Sequence, residues 1–201
     1  MTLKNVLVFS LILFSLHAFS QADFKGGLNA GLITSQVEGD TYAGFYKVGL
    51  TAGAQVEVNF SKTFGAGLGI SYVQKGSRNP PDTTNLNYFK LSLHYMEVPL
   101  SAQFTFKKFL LGFGPYAGVL MLQRQYNSPG IAYAINPPYD RIEIGAHIGV
   151  RYQFGEKWFA HARFSQSILP IRAAPKGTQR IVGWDGAGSN TDIRLMLGYL
   201  F

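Results

Sequence analysis

Residues 141–153 alternate without an error. Ile142, Ile144, Ala146, Ile148, Val150 and Tyr152 fall on one face, and Arg141, Glu143, Gly145, His147, Gly149, Arg151 and Gln153 on the other. A period of two is the repeat of a strand, so thirteen such residues exclude an amphipathic helix there. Residues 48–58 repeat the pattern, with Val48, Leu50, Ala52, Ala54, Val56 and Val58 opposite Gly49, Thr51, Gly53, Gln55 and Glu57. Residues 63–75 set Phe64, Ala66, Leu68, Ile70 and Tyr72 against Gly65, Gly67, Gly69 and Ser71. The chain ends with Ile193, Leu195, Leu197, Tyr199 and Phe201 opposite Asp192, Arg194, Met196, Gly198 and Leu200. Residues 24–34, 87–104, 109–122 and 157–169 read as less regular strands, the third of them apolar on both faces. The total is eight.

Connector lengths point the same way. Segments 59–62, 105–108 and 154–157 are tight, whereas 35–44, 76–87, 123–140 and 170–190 are long, polar and rich in Gly, Pro and Asn. Strict alternation of short and long connectors is the asymmetry of outer-membrane barrels, with short periplasmic turns and longer external loops. The expected fold is all-β: an eight-stranded antiparallel up-and-down transmembrane β-barrel. A soluble eight-stranded barrel of the lipocalin type has the same periodicity with its apolar face inside. Composition decides against it: only 14% of residues are charged, against about 25% in ordinary soluble domains. The polar face is mostly Gly, too sparse for a solvated exterior.

The N-terminus carries Lys4, then an apolar run over residues 6–16 broken only by Ser, then Ala18 and Ser20 before Gln21. This is the pattern of a secretory signal with small residues at the cleavage site. The run is shorter than the ~20 residues of a spanning helix. We therefore expect a cleaved signal at 1–20 and one barrel domain at 21–201, in the outer membrane of a Gram-negative bacterium. With no cysteine in the chain, disulfides, cysteine nucleophiles and thiolate metal sites are excluded.

Several segments resemble a known group. Leu93-His94-Tyr95-Met96-Glu97-Val98-Pro99-Leu100 is similar to the Tyr-x-Glu-(Ile/Val)-Pro-Leu strand of the outer-membrane β-barrel family of Bacteroidetes that includes the PorT-like proteins. Gly27-Leu28-Asn29-Ala30-Gly31, Tyr72-Val73-Gln74-Lys75-Gly76, Gly112-Phe113-Gly114-Pro115-Tyr116-Ala117-Gly118 and Ala162-Arg163-Phe164-Ser165 also fit. Many relatives carry Pro-Glu-Leu where this chain has Gly67-Leu68-Gly69-Ile70, so a lumenal carboxylate usual there is missing. The resemblance implies an eight-stranded outer-membrane barrel and, through the PorT-like members, a link to protein secretion. It implies no activity.

Eight strands leave a lumen that side chains fill. The inward candidates are Glu57, Glu97, Arg141, Glu143, His147, Arg151, His161, Arg163 and Arg194. Burying a charge costs several kcal/mol unless it is paired, so Glu57, Glu97 and Glu143 are expected to pair with Arg151, Arg163 and Arg194 in a central plug. The alternative is a narrow ion-conducting path along the same residues. A lipid-modifying hydrolase is a third reading: Ser92 and His94 share a strand face, but no orienting carboxylate accompanies them. The histidines lack metal-ligand spacing. No catalytic residue, cofactor or metal site is predicted.

Aromatics, among them Tyr72, Phe104, Phe106, Tyr116, Tyr152, Phe154 and Trp158, fall near strand ends, as interfacial girdles do. Tyr199 and Phe201 resemble the C-terminal signal read by the barrel-assembly machinery. The long loops hold Tyr126, Tyr133, Arg172, Arg180 and Trp184, residue types suited to recognising proteins or glycans. Display without a specific ligand stays open beside that reading. The formal charge of +7 suits anionic lipopolysaccharide. The expected partners are outer-membrane lipid and lipopolysaccharide, the assembly machinery, and envelope or secretion proteins. Nucleic acid is not expected, because the basic residues are scattered and the chain is exported.

Overall fold

The computed structural model describes residues 23–39, 44–80, 88–128, 131–172 and 188–201. Nine strands form in chain order: β1 (Asp23–Glu38), β2 (Lys47–Asn59), β3 (Phe64–Asn79), β4 (Phe89–Phe106), β5 (Phe109–Ser128), β6 (Ile131–Tyr133), β7 (Ile142–Phe154), β8 (Trp158–Ser167) and β9 (Ser189–Leu200). Eight of them close a barrel. Every neighbour is antiparallel, and β1 pairs with β9 from Gly27↔Leu200 to Glu38↔Ser189, which leaves no free edge in the wall. The signal expected at 1–20 lies outside the described residues.

The ninth strand, β6, corrects the reading of 123–140 as loop. Residues 123–128 prolong β5, and Ile131–Tyr133 folds back on it, with Gln125↔Tyr133 and Tyr126↔Ala132 in register. At the loop end the β4–β5 hairpin therefore carries β6 as a tongue of three strands, its β4 edge still paired with β3 up to Asn79↔Phe89. Residues 109–120 are apolar on both faces because Leu110, Tyr116 and Leu120 point inward between glycines, and a bulge then ends this phase. Tyr95 pairs with Leu120 and His94 with Leu122, so Met121 has no partner in β4. Met121 and Leu122 are both exposed, and the alternation restarts one residue out of phase.

The tight turns lie together at one end. Lys107 and Lys108 join β4 to β5, with Lys107 at φ 55°, as a two-residue hairpin turn requires. Gly155 supplies φ 81° between β7 and β8. Asp23 pairs with Asn59 beside the first turn, so β1 starts and β9 ends at this same end.

The wall is inverted relative to a soluble barrel. Adjacent residues of β9, Arg194 and Leu195, are 1% and 65% exposed. Throughout β7 the Ile, Val and Tyr side chains are exposed while Glu143, His147 and Arg151 are buried. An apolar exterior of this extent belongs in a bilayer. A girdle closes its lower edge: Phe64 and Phe104 meet edge to face at 5.5 Å, Phe109 and Tyr152 lie at 5.0 Å, and Trp158 and Tyr199 at 5.1 Å. Tyr116 does not join a girdle. It points inward and is almost fully buried.

Candidate functional site

The inward face of period-two strands brings five ionic side chains to one level of the lumen. Lys75 of β3, fully buried, is the hub. Its Nζ lies 2.6 Å from Glu97 Oε1, 2.7 Å from Glu143 Oε1 and 3.3 Å from Asp192 Oδ2. Arg194 closes the ring, with Nη2 at 2.8 Å from Glu97 Oε2 and Nε at 2.7 Å from Asp192 Oδ1. The Tyr116 hydroxyl donates to Glu143 Oε1 at 2.6 Å, and Asn190 Nδ2 donates to Glu143 Oε2 at 3.0 Å. The rings of Tyr95 and Tyr116 flank the ammonium at 5.5 and 4.7 Å. Charges this dry persist only because each finds several partners.

Nearer the short turns, Arg151 grips Glu57 with both guanidinium nitrogens; the Nη2–Oε2 bond is 2.9 Å. Gln55 Nε2 also donates to Glu57 Oε1, at 2.8 Å, and Gln103 Nε2 does so at 3.4 Å. Of the three carboxylates expected to pair with arginines, Glu57 meets Arg151 and Glu97 meets Arg194, whereas Glu143 is held by Lys75, not by an arginine. Arg163 has no carboxylate of a described residue within 4 Å, and its buried Nε has no hydrogen-bond partner. Lys75 and Arg194 face three carboxylates, leaving one negative charge in excess. Counting Arg163 and the Glu57–Arg151 pair, four cations balance four carboxylates.

Arg141 departs from the expectation. It is exposed and precedes β7, where the chain has left the ladder and parity no longer sets direction; its carbonyl accepts from Leu120 N. Lys75 and Asp192 were missed, although both continue inward phases read from the sequence.

His94 does not meet Ser92. Its Nδ1 lies 2.5 Å from the Tyr72 hydroxyl on the outer wall. A Ser–His contact forms elsewhere, Ser101 Oγ to His147 Nε2 at 3.0 Å, but His147 Nδ1 is buried without a partner, so no carboxylate orients the ring. Among the described residues no cluster of three His, Asp or Glu side chains is arranged to hold a metal.

Three levels close the lumen. At the loop end Val37, Leu91, Leu93 and Tyr95 pack against Tyr139 and Ile171, which come from the segments flanking β7 and β8. Arg172 fastens this cap, its guanidinium over the Tyr139 ring at 5.1 Å and donating to the Asn136 carbonyl at 3.2 Å. The ionic ring lies below. Beneath it, a cavity of about 30 Å³ lined by Ser101, His147, His161 and Arg163 is parted by Glu57 and Arg151 from an open mouth of about 480 Å³ at the short-turn end. The cavity admits one or two water molecules.

Of the loop candidates, Tyr133 is exposed, Tyr126 is partly buried with Lys90 Nζ 5.7 Å from its ring centre, and Arg172 is committed to the cap. Arg180 and Trp184 lie outside the described residues. Phe201 is exposed on the lipid-facing side and Tyr199 packs on Trp158.

Gly145 is where the ring demands the absence of a side chain. A Cβ there would stand 2.5 Å from two ring atoms of Tyr116 and inside contact distance of the Gln166 carbonyl. Gly145→Ala is expected to push Tyr116 off Glu143 and cost about 1–3 kcal/mol. Urea unfolding in detergent micelles measures this, and an unchanged midpoint would contradict the packing.

A closed antiparallel barrel with an apolar exterior, an ionic interior and an aromatic girdle defines a small integral protein of the Gram-negative outer membrane. The chain belongs to the outer membrane protein beta-barrel domain family, whose model matches residues 17–172. Among solved structures it is similar to Ail, the attachment invasion locus protein of Yersinia pestis, in two structures at 14% and 15% identity, each with TM-score 0.51, covering 89% of this chain and 99% of that one. Neisserial surface protein A matches at 11% identity and TM-score 0.45, over 90% of this chain and 99% of that one. These likenesses concern the fold. Comparison with curated protein sequences finds no match.

Proposed function

We propose that this protein is a sealed, non-catalytic barrel of the PorT-like group, serving the outer membrane as a structural and interaction element rather than as a channel. The observation that carries this reading is the three-level closure of the lumen. An apolar cap, the Lys75 ring and the Glu57–Arg151 pair occupy successive sections of the interior. A pore would need a continuous wetted path, whereas the inner cavity holds one or two waters and is parted from the open mouth by Glu57 and Arg151. The buried Ser101–His147 contact, with no orienting carboxylate and no access from the bilayer, speaks against a hydrolase.

On this reading the tongue formed by β4, β5 and β6 and the loop end make the contacts, to envelope or secretion proteins, and Tyr199 and Phe201 address the chain to the barrel-assembly machinery. The purified protein in planar bilayers is expected to show no discrete conductance steps. Reproducible single-channel openings would overturn the sealed-barrel reading. Cross-linking in intact outer membranes then identifies neighbours, with lipid and abundant bystanders alone favouring an envelope role over a secretion role.

A further inference from the structure

The outer wall changes character near the loop end of β3, β4 and β5. From the girdle residue Phe104, the outward residues of β4 run up through Leu100, Val98 and Met96 to His94, ten residues along. At about 2.6 Å of height per residue in a strand tilted by about 40°, this spans about 26 Å, the thickness of the apolar band. The hydrogen-bonded His94–Tyr72 pair therefore sits at the outer interface. Above it the same wall turns cationic.

Arg124 is exposed and pairs in register with Ser92, about 5 Å above His94. Arg78 and Lys90 stand directly opposite each other, about 10 Å above it. Lys90 points outward because Leu91, Leu93 and Tyr95 point in. Like charges opposite each other on a ladder are destabilising unless an anion lies between them. No carboxylate of a described residue lies within 4 Å of Arg78, Lys90 or Arg124. Lys47, buried at the start of β2, adds its field to Arg78 and Lys90. Directly below the cations, the β5 bulge turns Met121 and Leu122 outward together, beside Val119.

We propose that this face is a binding site for a phosphorylated lipid of the outer leaflet. Arg78, Lys90 and Arg124 hold the headgroup phosphate, and Val119, Met121 and Leu122 receive an acyl chain. The height of the cations matches the headgroup layer, their sign matches phosphate, and on β5 the apolar surface begins directly beneath Arg124 with Leu122 and Met121. The site lies on the wall and not in the loops, so it goes beyond the sealed-barrel reading and depends only on placement in the outer membrane.

Native mass spectrometry of the full barrel released from detergent, titrated with diphosphoryl lipid A, tests the proposal. Wild type is expected to retain one lipid. The variant Arg78→Gln/Lys90→Gln/Arg124→Gln is expected to bind about 100-fold more weakly, about fivefold per cation removed. Arg78→Lys/Arg124→Lys keeps the charge and is expected to keep the lipid. Lys62→Gln/Lys107→Gln/Lys108→Gln, at the opposite rim, is expected to bind as wild type does. Equal retention by the neutralised variant, equal loss at the opposite rim, or equal binding of dephosphorylated lipid A would each overturn the site. Displacement of the lipid by inorganic phosphate would replace a lipid site by a free-anion site and overturn the proposal as stated. Heat-modifiable mobility on gels verifies that each variant is folded.

Discussion

Replacing Lys75 by Met is expected to lower the stability of the folded barrel by about 3–5 kcal/mol, the cost of removing one partner from a buried ionic group. The side chains have similar length and both fit the lumen, so the loss is electrostatic. Glu97, Glu143 and Asp192 would remain within one dry compartment with Arg194 as their single adjacent cation. Adding Glu143→Gln to Lys75→Met should recover part of the loss, because the amide carries no charge and its single carbonyl oxygen can still accept from Tyr116. A coupling of about 1–3 kcal/mol between the two sites is expected. Urea unfolding in detergent, followed by tryptophan fluorescence, reads Lys75→Met, Glu143→Gln and the double variant. A single Lys75→Met variant within about 1 kcal/mol of wild type would mean that the ring is not what holds the interior together.

Ile148→Arg tests the other face. Ile148 lies midway along β7, 50% exposed, with its side chain directed away from the lumen. An arginine at the bilayer midplane costs about 2–4 kcal/mol on a lipid-facing strand position. The same change on a solvated barrel surface would fall within about 0.5 kcal/mol. Folding equilibria into lipid vesicles discriminate the two. A penalty that persists in the bilayer and shrinks for the equivalent change nearer the interface, at Phe154, is the expected signature. An unaffected Ile148→Arg variant would contradict the membrane-facing assignment of this wall.

Much of the lumen was legible from parity alone. Glu57, Glu97, Glu143, Arg151 and Arg194 follow from counting alternate residues within strands, and all are buried in the interior. Lys75 and Asp192 obey the same count and could have been added by carrying the phases of β3 and β9 to their ends. Parity failed where the ladder is broken. Arg141 stands one residue before β7, outside the pairing that would direct it inward, and the Met121 bulge reversed the faces of β5 without any mark in its hydrophobic pattern. The inward turn of Tyr116, which pairs in a regular stretch of ladder, was hidden because an aromatic in a strand apolar on both sides carries no phase of its own.

Partner choice across the lumen was beyond reading. Residues 68 apart in the chain, Lys75 and Glu143, meet because barrel closure and strand stagger bring β3 and β7 to the same height on opposite walls. The amino-acid order by itself determined the period of two, the alternation of short and long connectors and the shortage of charge, and these decide strand, barrel and bilayer because each is a local or compositional property. Which carboxylate meets which cation, where Arg163 stands with no carboxylate of a described residue beside it and how Tyr139 and Ile171 cap the loop end were decided only by the tertiary structure. Those contacts depend on the register of every strand around the closed wall, a quantity that no single segment carries.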